Sequence, residues 1–185
     1  MGRQSSIPGD WNCLFGWQGA EDFYTMALSW RGAADVLLDA WKAAHREGRD
    51  YAPWCAYPWV FCWRHAFELL LKSVMRRECQ WGEKWLRNRY EKCGHSLGKL
   101  WHTAVELVPD LAKTEAEESV RFLDGVDPDG TCMRYPKSKG GLELRNQTEF
   151  WVLERSQRLT KASEEVAWWA EDIPGGVFDP AVRGT

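Results

Sequence analysis

The sequence predicts an all-α fold, a helical bundle of four to five helices. Three observations lead there. Apolar residues recur at three- and four-residue steps over long stretches, no segment alternates with period two, and the connections between periodic stretches are short. At 185 residues the chain fits one domain. It divides into an irregular N-terminal segment (1–20), a single bundle (21–173) and a C-terminal tail (174–185).

The first helix is expected from Glu21 to Arg46, where Phe23, Met26, Trp30, Ala34, Leu37, Trp41 and Ala44 share a face and Gly48 follows as the stop. Asp50 to Tyr57 reads as a connection, and Pro58 as the first position of a second helix running to Cys79. Gln80 to Gly94 admits a short amphipathic helix through Trp81, Trp85 and Tyr90, punctuated by Gly82 and Gly94. Ser96 is the expected N-cap of a helix with Leu97, Leu100, Trp101, Ala104 and Leu107 on one face, ended before Pro109. A further helix is expected over Leu111 to Leu123, started by Thr114 and Glu117 at capping-box spacing or by Asp110. Gly125-Val-Asp-Pro-Asp-Gly130 is a turn signal, and Thr131 to Leu144 reads as an ordered loop. The last helix is expected from Thr148 to Asp172, before Pro174-Gly-Gly.

The net charge of −3 argues against a protein that coats nucleic acid indiscriminately, but the charge is unevenly spread. Lys72 to Lys99 carries eight Lys and Arg against three Glu, a net of +5, whereas Ala104 to Gly130 carries eight acids against two bases, a net of −6. Thirteen Trp suggest thick helix interfaces and a partner surface. The six cysteines include no CxxC pair and read as reduced thiols of a cytoplasmic protein. Cys93-Gly-His95 lacks a second ligand pair, so no metal and no cofactor is implied. The longest uncharged run, Tyr51 to Trp63, is too short to span a bilayer and holds Pro53 and Pro58, so no membrane role is expected.

The second helix is the most informative segment. At about 100° per residue, Arg64, Glu68, Lys72 and His65 fall at roughly 0°, 40°, 80° and 100°, a polar stripe on an otherwise apolar helix. Phe61, Leu71 and Met75 flank the stripe and imply that it is at least partly buried. Buried charges need partners, so this side holds either an internal ion network or a site.

Four pieces carry a resemblance: Trp-Arg64-His65-Ala-Phe-Glu68-Leu-Leu-Leu-Lys72, Gly94-His95-Ser-Leu97-Gly-Lys-Leu100-Trp101, Arg134-Tyr135-Pro136, and Arg87-Asn88-Arg89 ahead of His95. Together they resemble the HEPN-like helical-bundle proteins of bacteria over about Pro58 to Pro136. The resemblance implies an effector of a toxin–antitoxin or phage-defence system, with a protein partner or antitoxin, and often a homodimer with sites facing across the seam. The family's ribonucleases carry an Arg, four to six residues and then a His. Arg89 and His95 match that spacing, although Tyr90 stands where a polar residue is usual.

The resemblance thus implies a metal-independent endoribonuclease with His95 and Arg89 catalytic and Arg87 and Lys92 binding RNA. Such an enzyme needs a base for the 2′-OH, a cation for the phosphorane and an acid for the leaving oxygen. Plainer roles fit the same residues. Arg64, Glu68 and Lys72 make an intrahelical ion ladder, His65 a core histidine, His95 a helix cap or a partner of Glu68, and Arg134 a second partner of Glu68. A metal cluster of His65, Glu68, His95 and His102 is a further arrangement, but the Glu-x-x-His of di-metal bundles occurs here once only and reversed. A non-catalytic helical module docking on a larger protein is the alternative function.

Overall fold

The computed structural model describes residues 23–49, 52–79, 81–128, 130 and 152–170. Among them there are six α-helices and no strand: α1 (Phe23–Arg46), α2 (Ala52–Glu78), α3 (Glu83–Cys93), α4 (Leu97–Leu107), α5 (Ala116–Val126) and α6 (Val152–Ala170), with a 3-10 helix, Pro109–Lys113, before α5. The all-α bundle is therefore as the periodicity predicts, with one helix more than the upper count because the ambiguous Gln80 to Gly94 stretch is helical. Gly82 and Gly94, both at positive φ, flank α3.

α2 is the centre. It packs on α1, α4 and α6 and touches α3 and α5. Trp59, Trp63, Phe67, Leu70, Leu71 and Met75 are all fully buried along it, which is why this helix is apolar on most sides rather than on one stripe. Leu97, Leu100, Trp101 and Ala104 cover it from α4, and Leu159, Ala162 and Val166 line the inner face of α6. α2 also closes the end of α6: Ser73 Oγ donates to Ala170 O at 3.1 Å and Arg77 Nη1 to Trp169 O at 3.3 Å, giving two carbonyls of the last turn their donors.

Three boundaries differ from expectation. α2 starts at Ala52, so Pro58 lies inside it. Proline costs a helix one backbone bond, and the loss is tolerated here because Tyr57 and Pro58 are exposed while Trp59 and Val60, immediately after, are locked into the core. α5 starts at Ala116 rather than Leu111. Pro109–Lys113 forms the tighter 3-10 turn, and the expected capping box does not close. Thr114 Oγ1 does accept from Ala116 N at 3.3 Å, but Glu117 turns to Arg121 instead of back to Thr114. Gly125 is the penultimate helical residue of α5, not a turn residue. The N-terminal segment, the Thr131 to Leu144 loop, Arg134-Tyr135-Pro136 and the C-terminal tail lie outside the described residues.

The acidic stretch is not left as a free surface. Glu115 pairs with Lys161 at 2.8 Å, and Glu118 with Arg155 and Arg158 at 3.0 and 2.6 Å, so α6 neutralises part of α5. The described tryptophans are likewise mostly covered at least in part. Among the described side chains Trp59, Trp63 and Trp101 are buried, Trp30, Trp41, Trp85, Trp168 and Trp169 half-buried, and only Trp81 is exposed. No helix among the described residues is long and apolar enough to cross a membrane.

Candidate functional site

The polar stripe of α2 meets the turn between α3 and α4 and the turn after α5. Ser96 caps α4, its Oγ accepting from Lys99 N at 3.3 Å, as the sequence implies. Gly94, at φ 57°, ends α3 immediately before. This places His95 between two helices and over Glu68. Close contact between α4 and α5 fixes the other wall: a Cβ on Gly98 would stand 2.9 Å from Asp124 Oδ2.

Arg64 is the deepest member, 3% exposed. Its Nε donates to Asp127 O at 2.7 Å, Nη1 to Glu68 Oε2 at 3.3 Å, and Nη2 to the carbonyls of His95 and, at 3.4 Å, Pro128. The Asp127 carboxylate stands 3.6 Å from Nε. A buried guanidinium needs its charge and its donors both met. Two carboxylates and three carbonyls do so here. Gly130, at φ 67°, packs on the same guanidinium, where a Cβ would come within 2.8 Å of Nη1.

Glu68, equally buried, is shared in three directions. Oε2 takes Arg64, while Oε1 takes Lys72 Nζ at 2.6 Å and His95 Nδ1 at 2.9 Å. Burial favours the protonated acid, but the hydrogen bonds and charges of Lys72 and then His95 outweigh it and hold the carboxyl below the ordinary Glu value. Lys72 is in turn fixed from behind, because Tyr90 Oη donates to its backbone carbonyl at 2.9 Å. Burial pushes the Tyr90 phenol above the ordinary tyrosine range. The residue that departs from the family's pattern is thus a strut between α3 and α2.

His95 differs from the rest in being 63% exposed. With Nδ1–H donating to a buried carboxylate, Nε2 is the basic nitrogen. The arrangement is a carboxylate-oriented imidazole with an ammonium on the same carboxylate oxygen, which combines a base with a cation beside it.

The structure therefore brings together Arg64, Glu68, Lys72 and His95. It takes His65 elsewhere: its ring stands edge-on to Trp30 at 4.9 Å and stacked on Phe61 at 5.8 Å, in the α1–α2 interface. Arg89 pairs loosely with Glu106 at 4.0 Å and lies over the Trp85 ring at 5.0 Å, so its contacts and those of His95 run to different groups. Arg87 and Lys92 are exposed on α3. Arg134 lies outside the described residues. Asp127 is the member that sequence reasoning missed. It sits in an acidic, turn-forming stretch, and nothing in the sequence separates it from Asp124 or Asp129.

No three His, Cys, Asp or Glu side chains among the described residues are grouped so as to hold a metal ion, and Cys55, Cys62, Cys79 and Cys93 are free thiols. No family model, curated protein or solved structure matches the chain.

Proposed function

We propose that the chain is an HEPN-like effector that cleaves RNA without a metal ion, paired with an antitoxin or another partner protein in a toxin–antitoxin or phage-defence system. The observation that supports it is the 2.9 Å bond between the buried Glu68 carboxylate and Nδ1 of the exposed His95. In this reading His95 Nε2 takes the proton of the ribose 2′-OH, the freed oxygen attacks the adjacent phosphorus, and the P–O5′ bond breaks to leave a 2′,3′-cyclic phosphate and a 5′-oxygen that is protonated by the imidazolium or by water. Lys72 is the cation that stands beside the base, Arg89 leaves Glu106 and Trp85 to reach the phosphorane, and Arg87 and Lys92 hold flanking phosphates. A homodimer with its sites facing each other across the seam is part of the same proposal.

The test is cleavage of labelled RNA by purified protein. Cutting is expected to survive EDTA, to leave a cyclic phosphate and to disappear in His95→Ala with helicity unchanged. Growth arrest on expression, relieved by the same substitution, is the cellular counterpart. If the purified protein cuts no RNA, or if His95→Ala cuts equally well, the enzyme reading fails. The second reading, a non-catalytic module docking on a larger protein, then stands. It is favoured by the apolar Leu28 and Val36, 40% and 69% exposed on α1.

A further inference from the structure

Trp81 is out of place as a core residue. It is 62% exposed, the only described tryptophan in that position, and contact with Trp85 at 4.8 Å between ring centres does not cover it. The two indoles are tilted by 37° and the Arg89 guanidinium lies over the second. Together they form a ledge of two rings and a cation at the start of α3. Gly82, the next residue, lines a cleft of about 500 Å³ whose walls include Phe23, Arg76, Glu83, Arg87 and Tyr90. Ledge and cleft therefore adjoin.

Three further basic side chains stand on the same helix. Lys84, Arg87 and Lys92 are exposed and have no carboxylate partner among the described residues, in contrast to the paired basic residues of α6. A protein interface of this kind would be expected to gather apolar side chains and thin out its charges toward the centre. Here an aromatic ledge is set beside a cleft whose wall carries two arginines, Arg76 and Arg87, against one carboxylate, Glu83. That is the chemistry of a flat π-face next to a phosphate.

We propose that the Trp81–Trp85 ledge and the Arg76–Arg87 cleft form a binding site for single-stranded nucleic acid. An unpaired base stacks on Trp81, and the neighbouring phosphate enters the cleft between Arg76 and Arg87. A duplex is a poor ligand because its base faces are already covered. The site uses the π-face and the phosphate, neither of which depends on sequence or on the 2′-OH, so DNA and RNA single strands are both accepted. This inference rests on the proposed RNA reading only for the natural polymer. It requires no cleavage by His95.

The test is a fluorescence-anisotropy titration of the full chain with a labelled 12-nucleotide 2′-O-methyl RNA, which lacks the attacking hydroxyl, alongside the matching DNA strand and its duplex. Both single strands are expected to bind, and the duplex at least tenfold more weakly. Trp81→Ala, a change at an exposed side chain, should weaken single-strand binding about 5- to 150-fold, the loss of one stacked base, and Trp81→Phe should restore most of it. Arg87→Gln should lower the slope of log Kd against log salt by roughly 0.7, one phosphate contact on a single strand. Equal affinity for the duplex, or unchanged affinity in Trp81→Ala, overturns the proposal. Binding with these signatures but without cleavage of unmodified RNA removes the catalytic reading and leaves this site standing.

Discussion

Replacing Glu68 tests the centre of the molecule. The side chain is 3% exposed and satisfies three cations or donors at once. In Glu68→Ala, Lys72 and His95 can reach solvent, since both lie nearer the surface. Arg64 cannot, but it keeps the Asp127 carboxylate and three carbonyls. Breaking a buried pair from one side costs about 3–5 kcal/mol, and the remaining partners put this case near the lower end, about 3 kcal/mol. For a chain of this length that is a fall in Tm of roughly 6–12 °C. Glu68→Gln keeps the shape and one acceptor but not the charge, and should cost roughly 1–3 kcal/mol. A pH series adds a second, independent readout. The folded carboxyl titrates below its unfolded value, so its contribution is fully present above the unfolded pKa and is lost as pH falls through the folded one. Urea midpoints of the native protein should therefore drop, as pH falls below the ordinary glutamate value, by more than those of Glu68→Gln. A stability change within about half a kcal/mol, or parallel pH curves for the two proteins, would mean that the charge of Glu68 is solvated and that the network holds nothing together.

Two further perturbations examine the surroundings of that centre. Gly130→Ala forces a left-handed backbone on alanine, at about 1–2 kcal/mol, and drives a Cβ into the Arg64 guanidinium. Its loss in urea denaturation should exceed that of Gly48→Ala, which shares the positive φ but has nothing within 4 Å. Tyr90→Phe removes the bond to Lys72 O and should cost about 1 kcal/mol. In ultraviolet titration of the native chain, one phenol missing from the variant should ionise above the ordinary tyrosine range.

The bundle was legible because its information is periodic. Arg64, Glu68 and Lys72 share one side of α2 by spacing alone, and Phe61, Leu71 and Met75 beside them foretell burial. What spacing cannot carry is where a loop lands. Asp127 and the carbonyls of His95 and Pro128 reach Arg64 only because two turns converge on it, and a carbonyl leaves no mark in a sequence. For His65 spacing leaves two readings, a member of the stripe or a core histidine, for a related reason. At the edge of the stripe its partner is decided by which helix covers that edge, and the cover is Trp30 of α1. Pro58 shows propensity overruled by burial of the residues that follow. The Arg89 and His95 pair was read from spacing within one segment. In the fold that segment bends at Gly94, so the two side chains take up different neighbours.

Arg64 also dictates an order of events during synthesis. Its guanidinium bonds to carbonyls 31 and 63 residues farther along the chain. While the ribosome is still short of Asp127, the cation at the middle of α2 has only Glu68 and, once it is made, the His95 carbonyl to answer it, and that carboxylate must also serve Lys72. Sealing α2 into the bundle at that stage would bury a half-answered charge. The central helix is therefore expected to seal only once the turn after α5 has emerged, and a chain truncated before that turn to be cut faster by protease than the full chain.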